Sequence, residues 1–126
     1  MKIWKKVFLF CLGGGLYTII ELLWRGRSHG SMFLLGGGCF LALGWLGKQK
    51  IPVAVLPLLG AAIITAGELA TGLLVNQDHS VWDYRRMPGN FLGQICPVYS
   101  LLWVPLSLVA MQIFDGVEKR LHKCDI

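Results

Sequence analysis

The chain has 126 residues, of which 55% are hydrophobic and 15% charged, with a mean hydropathy of +0.60. Soluble domains carry about a quarter charged residues, so this balance excludes an ordinary water-soluble fold and leaves room for one membrane domain. The net charge of +5 gathers near the ends of the apolar runs, which makes it a topological signal and not a nucleic-acid surface.

Lys2, Lys5 and Lys6 precede the first apolar run, Val7 to Trp24. A signal peptide also begins with basic residues, but no A-x-A-like site follows and the run closes on Glu21, Trp24 and Arg25, so an uncleaved helix is expected. The second run, Met32 to Leu46, is short against the ~20 residues that a span requires. Extension through Gly30 and Ser31, or local thinning of the bilayer, would accommodate it. The third run covers Pro52 to Val75 and the fourth Phe91 to Phe114, followed by a tail over residues 115–126. Lipid offers the backbone no partners, so runs of this length predict helices; the alternation of barrel strands is absent. The expectation is an all-α membrane protein, one domain over residues 1–126 with four transmembrane helices at about 7–24, 32–46, 52–75 and 91–114.

With four spans, Lys2, Lys5, Lys6, Lys48, Lys50, Lys119, Arg120 and Lys123 share one side, against Arg25, Arg27, Arg85 and Arg86 on the other. The positive-inside rule then predicts cytoplasmic termini and a multi-pass protein of the cell membrane. Cys11, Cys39 and Cys96 fall in apolar runs and Cys124 in the tail, without metal-ligand spacing. No metal site and no cofactor are predicted.

Charged groups inside a span cost a few kcal/mol and mark function by default. Glu21 and Glu68 are the two candidates, both toward the outer ends of their helices. Arg25, His29, Asp83, Tyr84, Asn90 and Gln94 converge on the same depth and complete the candidate ligand-binding cluster. Arg25 lies four residues after Glu21, in pairing position on one helix face, and Arg85 or Arg86 could serve Glu68. The segment "WDYRRMPGNFLGQICP" (82–97) is expected to fold back over the two carboxylates. Asp83 would then meet Arg25, Asn90 would cap the fourth helix and Gln94 would point inward, with Trp82 and Tyr84 at headgroup level. Each group also has a plainer reading: Glu21 snorkelling or paired, His29 solvated, the whole cluster structural.

"GGGLYTIIEL" (13–22) aligns with "GAAIITAGEL" (60–69), which puts Glu21 on Glu68 and suggests an internal repeat of two parallel hairpins. Ala62, Ala66 and Ala70 form a small-residue ridge suited to close helix contact, as do Gly36 and Gly44. Pro97 and Pro105 are expected to bend the fourth helix.

"ELLWRGRSHGSMFLLGGGCF", "GELATGLLVN", "VWDY" and "PGNFLGQICPVYSLLW" resemble the bacterial ABC-transporter type IV permease family, over roughly Tyr17 to Trp103. The resemblance carries over to Glu21, Arg25, Gly26, His29, Glu68, Gly72, Trp82, Asp83, Tyr84, Pro88, Asn90, Gly93, Gln94 and Cys96; Arg85 departs from the family pattern. It implies transport. No G-x-x-x-x-G-K-[ST] occurs, however, and "GKQKI" is too short for a coupling helix, so the tail is the region that could dock a membrane or ATPase partner. Two readings stand side by side: a homo-oligomeric transporter with a solute site on the carboxylates, and a non-transporting scaffold or accessory subunit whose polar cluster is structural. A membrane enzyme has less support, because no nucleophile or metal spacing accompanies the acids. A transport site needs a cavity that reaches the carboxylates; a scaffold needs them sealed.

Overall fold

A computed structural model describes residues 3–26, 29–77, 79 and 82–123, with Arg25 described for its backbone alone. Lys2, Arg27 and Cys124 therefore lie outside the described residues. Four helices follow in order: α1 Ile3–Arg25, α2 Gly30–Gly47, α3 Leu56–Val75 and α4 Pro97–Lys123. All four are long and apolar enough to cross a membrane, so the chain is an all-α multi-pass membrane protein. Among the described residues the β-type pairing is confined to one bridge, Phe91 to Ile95.

The 18 residues of α2 rise about 27 Å at 1.5 Å per residue, just under a hydrocarbon core of about 30 Å. Its run is extended at the start as expected, through Gly30 and Ser31. His29 makes that extension possible: it is the N-cap, extended at φ −134°, ψ 153°, and its ring nitrogen accepts from the Ser31 amide. One of the orphan donors of the first turn is thereby satisfied. α3 begins at Leu56, after a turn over 52–55, with a proline in its first positions, where the missing N–H costs nothing.

α1 packs along α2 and α3 along α4, and α2 also packs against both α3 and α4. Among the described residues α1 and α3 do not touch, and the contact of α1 with α4 is thin. Glycines set the closeness of the first pair. A Cβ on Gly36 would lie 2.4 Å from Tyr17 Cβ, and one on Gly37 2.6 Å from the Phe10 carbonyl oxygen. In the second pair Gly60 faces Ser107, whose hydroxyl donates to the carbonyls of Pro57 (3.2 Å) and Val104 (2.9 Å). Leu9, Phe40 and Phe114 form one core cluster with Val117 and Leu121 against it. The start of α1 and the end of α4 therefore lie at the same end of the bundle, the terminal end.

Two expectations about α4 are corrected. It starts at Pro97 and runs to Lys123, well past Phe114. Residues 91–96 are instead a tight loop, with Leu92 (φ 55°) and Gly93 (φ 68°) in the left-handed region. Pro97 is therefore the first helical residue and interrupts nothing, which leaves Pro105 as the proline inside the helix. Beyond the apolar stretch the last turns of α4 are more polar, with ion pairs from Lys48 to Glu118 and from Lys119 to Asp115, while Val117 and Leu121 keep them packed on the core. The ridge of Ala62, Ala66 and Ala70 is exposed. The face that α3 buries carries Gly60, Ile64, Glu68 and Gly72.

Candidate intramembrane carboxylate site

At the end of the bundle opposite the termini, α1, α3 and α4 bring two acids out of contact with the surroundings. Glu21 is 7% exposed and Glu68 2%. Glu68 Oε1 accepts a hydrogen bond from Trp103 Nε1 at 2.5 Å, and Oε2 accepts from the Tyr84 hydroxyl at 3.5 Å. Tyr84 stacks on Tyr99, with ring centroids 4.9 Å apart and an interplanar angle of 22°. Positions 99 and 103 stand one turn apart on α4, so both rings lie on one face. Glu68 thus holds two aromatic rings by their polar ends, an arrangement suited to a buried acid that needs hydrogen bonds.

Those rings wall a pocket of about 130 Å³ between α1 and α4, lined also by Ile20, Glu21 and Trp24. A second, almost wholly apolar cleft of about 90 Å³ lies along the same seam toward the middle of the helices, lined by Tyr17, Ile20, Cys39, Phe40, Val109 and Ala110. Ile20 belongs to both.

The connection from α3 to α4 folds over this site as expected, but with different residues in the working positions. Asn76, at the end of α3, is fully buried and ties it down. Its amide nitrogen donates to the Trp82 carbonyl (2.6 Å) and to Gln94 Oε1 (2.9 Å); its oxygen accepts from the Trp82 amide (3.2 Å). Gln94 Nε2 donates back to the Asn76 carbonyl (3.0 Å), and Trp82 Nε1 donates to the Gln94 carbonyl (2.8 Å). Gly72 leaves room for this knot: a Cβ there would sit 2.3 Å from Gln94 Oε1. Gln94 is therefore spent on the loop and does not point at the acids, and Trp82, 2% exposed, is packed into the protein core.

Asp83 is exposed, and its carboxylate is gripped by Arg85 through Nε (2.9 Å), Nη2 (2.7 Å) and the backbone amide (2.9 Å). The side-chain hydrogen bonds, then the backbone one, hold its carboxyl well below the usual carboxylate range, and the same contacts raise the Arg85 guanidinium. Arg85 is thus the partner of Asp83 and not of Glu68. Arg25, the partner expected for Asp83, closes α1 with its side chain outside the described residues.

Asn90 does not cap α4. It closes the turn before it, donating to the carbonyls of Arg85 (3.2 Å) and Met87 (2.9 Å) and accepting from the Gly93 amide (3.0 Å). His29 serves the start of α2. Of the residues expected in the cluster, Glu21, Glu68 and Tyr84 come together. Asp83, Asn90 and Gln94 shape the loop above them. Tyr99, Trp103 and Asn76 were not singled out from the sequence, although an aromatic pair at i, i+4 and an asparagine ending an apolar helix were there to see.

A bundle of four apolar helices with acids buried between them defines a small membrane protein of transporter-like build. The chain matches, over residues 8–124, the model of the family described as "Putative ABC-transporter type IV", and it belongs to that family. No curated protein and no solved structure matches it.

Proposed function

We propose that the chain is a transporter or permease-like subunit that holds a small polar or cationic solute, or a proton, at Glu21, with Glu68 fixing the aromatic wall. The observation that carries this reading is the half-open pocket of about 130 Å³ between α1 and α4 that has Glu21 in its lining. A purely structural acid has no use for such a cavity. The test is proton flux into proteoliposomes loaded with a pH-sensitive dye. Wild-type protein is expected to dissipate an imposed gradient faster than empty vesicles, and Glu21→Gln to lose that excess. Wild-type flux equal to that of empty vesicles, or flux untouched in the Glu21 variant, would return both acids to a structural role.

That outcome is the scaffold reading, favoured by one observation of its own: both oxygens of Glu68 accept hydrogen bonds from packed aromatic residues.

Three further parts belong to the proposal. The termini are cytoplasmic, on the basic bias, so the pocket opens near the outer leaflet of the cell membrane. The hairpins α1–α2 and α3–α4 are a parallel repeat, supported by the alignment that puts Glu21 on Glu68; equal bilayer depths for spin labels at the matched Leu22 and Leu69 would check it, and unequal depths would refute it. The protein is a homo-oligomer, supported by the outward ridge of Ala62, Ala66 and Ala70; failure of an Ala66→Cys variant to crosslink in vesicles would count against that interface. An ATPase or other membrane partner would dock at the polar end of α4, beside a cleft of about 280 Å³ lined by Lys48, Met111 and Asp115. A photo-crosslinker at Lys119 should then capture a nucleotide-binding subunit, and adducts with lipid alone would refute it.

A further inference from the structure

The two pockets of the α1–α4 seam differ in chemistry and lie side by side, with Ile20 in the lining of both. The one at the loop end has a carboxylate, Glu21, and four aromatic residues, Trp24, Tyr84, Tyr99 and Trp103, with Tyr84 and Tyr99 stacked on each other. Carboxylate and aromatic faces together attract a cation, and most strongly one too bulky and poorly hydrated to prefer water. Glu68 adds to this. Its oxygens accept from the Trp103 indole N–H and the Tyr84 hydroxyl, which pushes electron density into both rings and makes their faces better cation partners. At about 130 Å³ the pocket is smaller than the ~300–1,000 Å³ of sites for drug-sized ligands, so it takes a headgroup and not a whole molecule.

The second pocket runs along the seam from Ile20 back to Gly13 on α1 and from Leu106 to Ile113 on α4, with α2 as its floor. Seven residues of helix correspond to about 10 Å, the scale of an alkyl tail. Its lining is apolar apart from Tyr17 and Cys39, and the thin contact between α1 and α4 leaves it open sideways.

We propose that the seam binds an amphiphilic cation: a substituted ammonium group in the Glu21 pocket, with its apolar tail lying along α1 and α4 in the adjoining cleft. This rests on the reading of Glu21 as a solute site and names the solute class and its route, lateral entry from the bilayer. The charge of Glu21 and the apolar lining next to it select one molecule with both characters. A phospholipid headgroup fits less well, because its phosphate would follow the ammonium into the neighbourhood of two acids.

The test uses the purified protein in nanodiscs of phosphatidylglycerol, with dodecyltrimethylammonium and tetramethylammonium as probes, binding being read by quenching of tryptophan fluorescence. Glu21→Gln is expected to weaken both probes at least tenfold. Trp24→Ala alters a residue that is 68% exposed, so folding is spared, and it should weaken both as well. Val109→Trp fills the apolar cleft from a position 49% exposed. It should weaken the dodecyl probe about tenfold and tetramethylammonium less than twofold. Equal effects of Val109→Trp on the two probes, or none on either, would overturn the tail site while leaving a cation site at Glu21 intact. Unchanged affinity in both Glu21→Gln and Trp24→Ala would overturn the headgroup site. Proton flux that depends on Glu21 without binding of either probe would sink this inference and spare the transport reading. Affinity that collapses when phosphatidylcholine replaces phosphatidylglycerol would assign the pocket to a lipid headgroup and likewise overturn the proposal.

Discussion

Asn76 and Asn90 are the same residue type, and each side chain makes at least three hydrogen bonds to the α3–α4 connection. Their surroundings differ. Asn76 is fully buried beside Trp82 and Gln94, each 2% exposed, whereas Asn90 is half-buried at the surface of the loop. Truncating Asn76 to alanine leaves the Trp82 amide, the Trp82 carbonyl and Gln94 Oε1 without that partner in a dry place. A buried polar group left unsatisfied costs about 1–3 kcal/mol, so Asn76→Ala should cost about 3 kcal/mol even at the low end. At Asn90 water replaces the lost side chain, and the net loss should be about 1 kcal/mol. Thermal unfolding in one detergent, followed by circular dichroism, compares the two variants directly. A second readout is Cys96, 2% exposed and packed with Trp82 and Tyr84, in a background where the other cysteines are alanine. Asn76→Ala should speed its modification by a thiol dye, and Asn90→Ala should not. Equal melting temperatures and equal thiol reactivity would refute the claim that dry hydrogen bonds anchor this loop.

Gly72→Ala should destabilise by roughly 1–3 kcal/mol through overpacking, since the new Cβ would strike Gln94, whereas Gly38→Ala, with nothing within 4 Å, should be neutral or slightly stabilising by the same melt. The depressed Asp83 carboxyl gives the 83–85 clamp a defined pH range: its contribution is fully present above the ordinary value of 3.8 and is lost only as pH falls well below that. A carboxyl NMR titration of Asp83 should therefore show a midpoint below 3.8, and a midpoint at or above it would contradict the Arg85 grip. A cysteine placed at Gln77 should react with an impermeant label from outside the cell, and one at Lys50 only after permeabilisation; the reverse pattern would invert the topology.

The four spans were legible because apolar length is what a bilayer demands, and little else in a chain of this composition can meet the demand. The start of α4 was not. Phe91, Leu92 and Ile95 are as apolar as helix residues, and hydropathy has no way to register that Leu92 and Gly93 turn left-handed. The clue was Pro97, better placed to open a helix than to bend one. The acids were legible because a charge within an apolar run stands out. Of their aromatic partners Tyr84 was legible within the patterned loop, while Trp103 and the stacked Tyr99 were not, since aromatic residues on a membrane helix also serve lipid. For the loop, the polar residues were found but their pairings were not: Asp83 has its cation two residues away, and Gln94 has its partner in Asn76, a residue inconspicuous at the end of its helix.

The mutual bond between Asn76 and Gln94 also has a consequence in time. As the chain is synthesised, α3 ends in a side chain whose partner is made eighteen residues later. Until Gln94 emerges, the Asn76 side chain can hold the Trp82 backbone, but water or an insertion factor must stand in for Gln94 at the Asn76 carbonyl, which keeps α3 from settling at its final depth alone. The second hairpin is thus released into lipid as a unit, its loop closing last like a clasp. A nascent chain stalled before residue 94 should accordingly keep an engineered cysteine at Leu73 open to aqueous labelling, while one stalled after α4 should hide it.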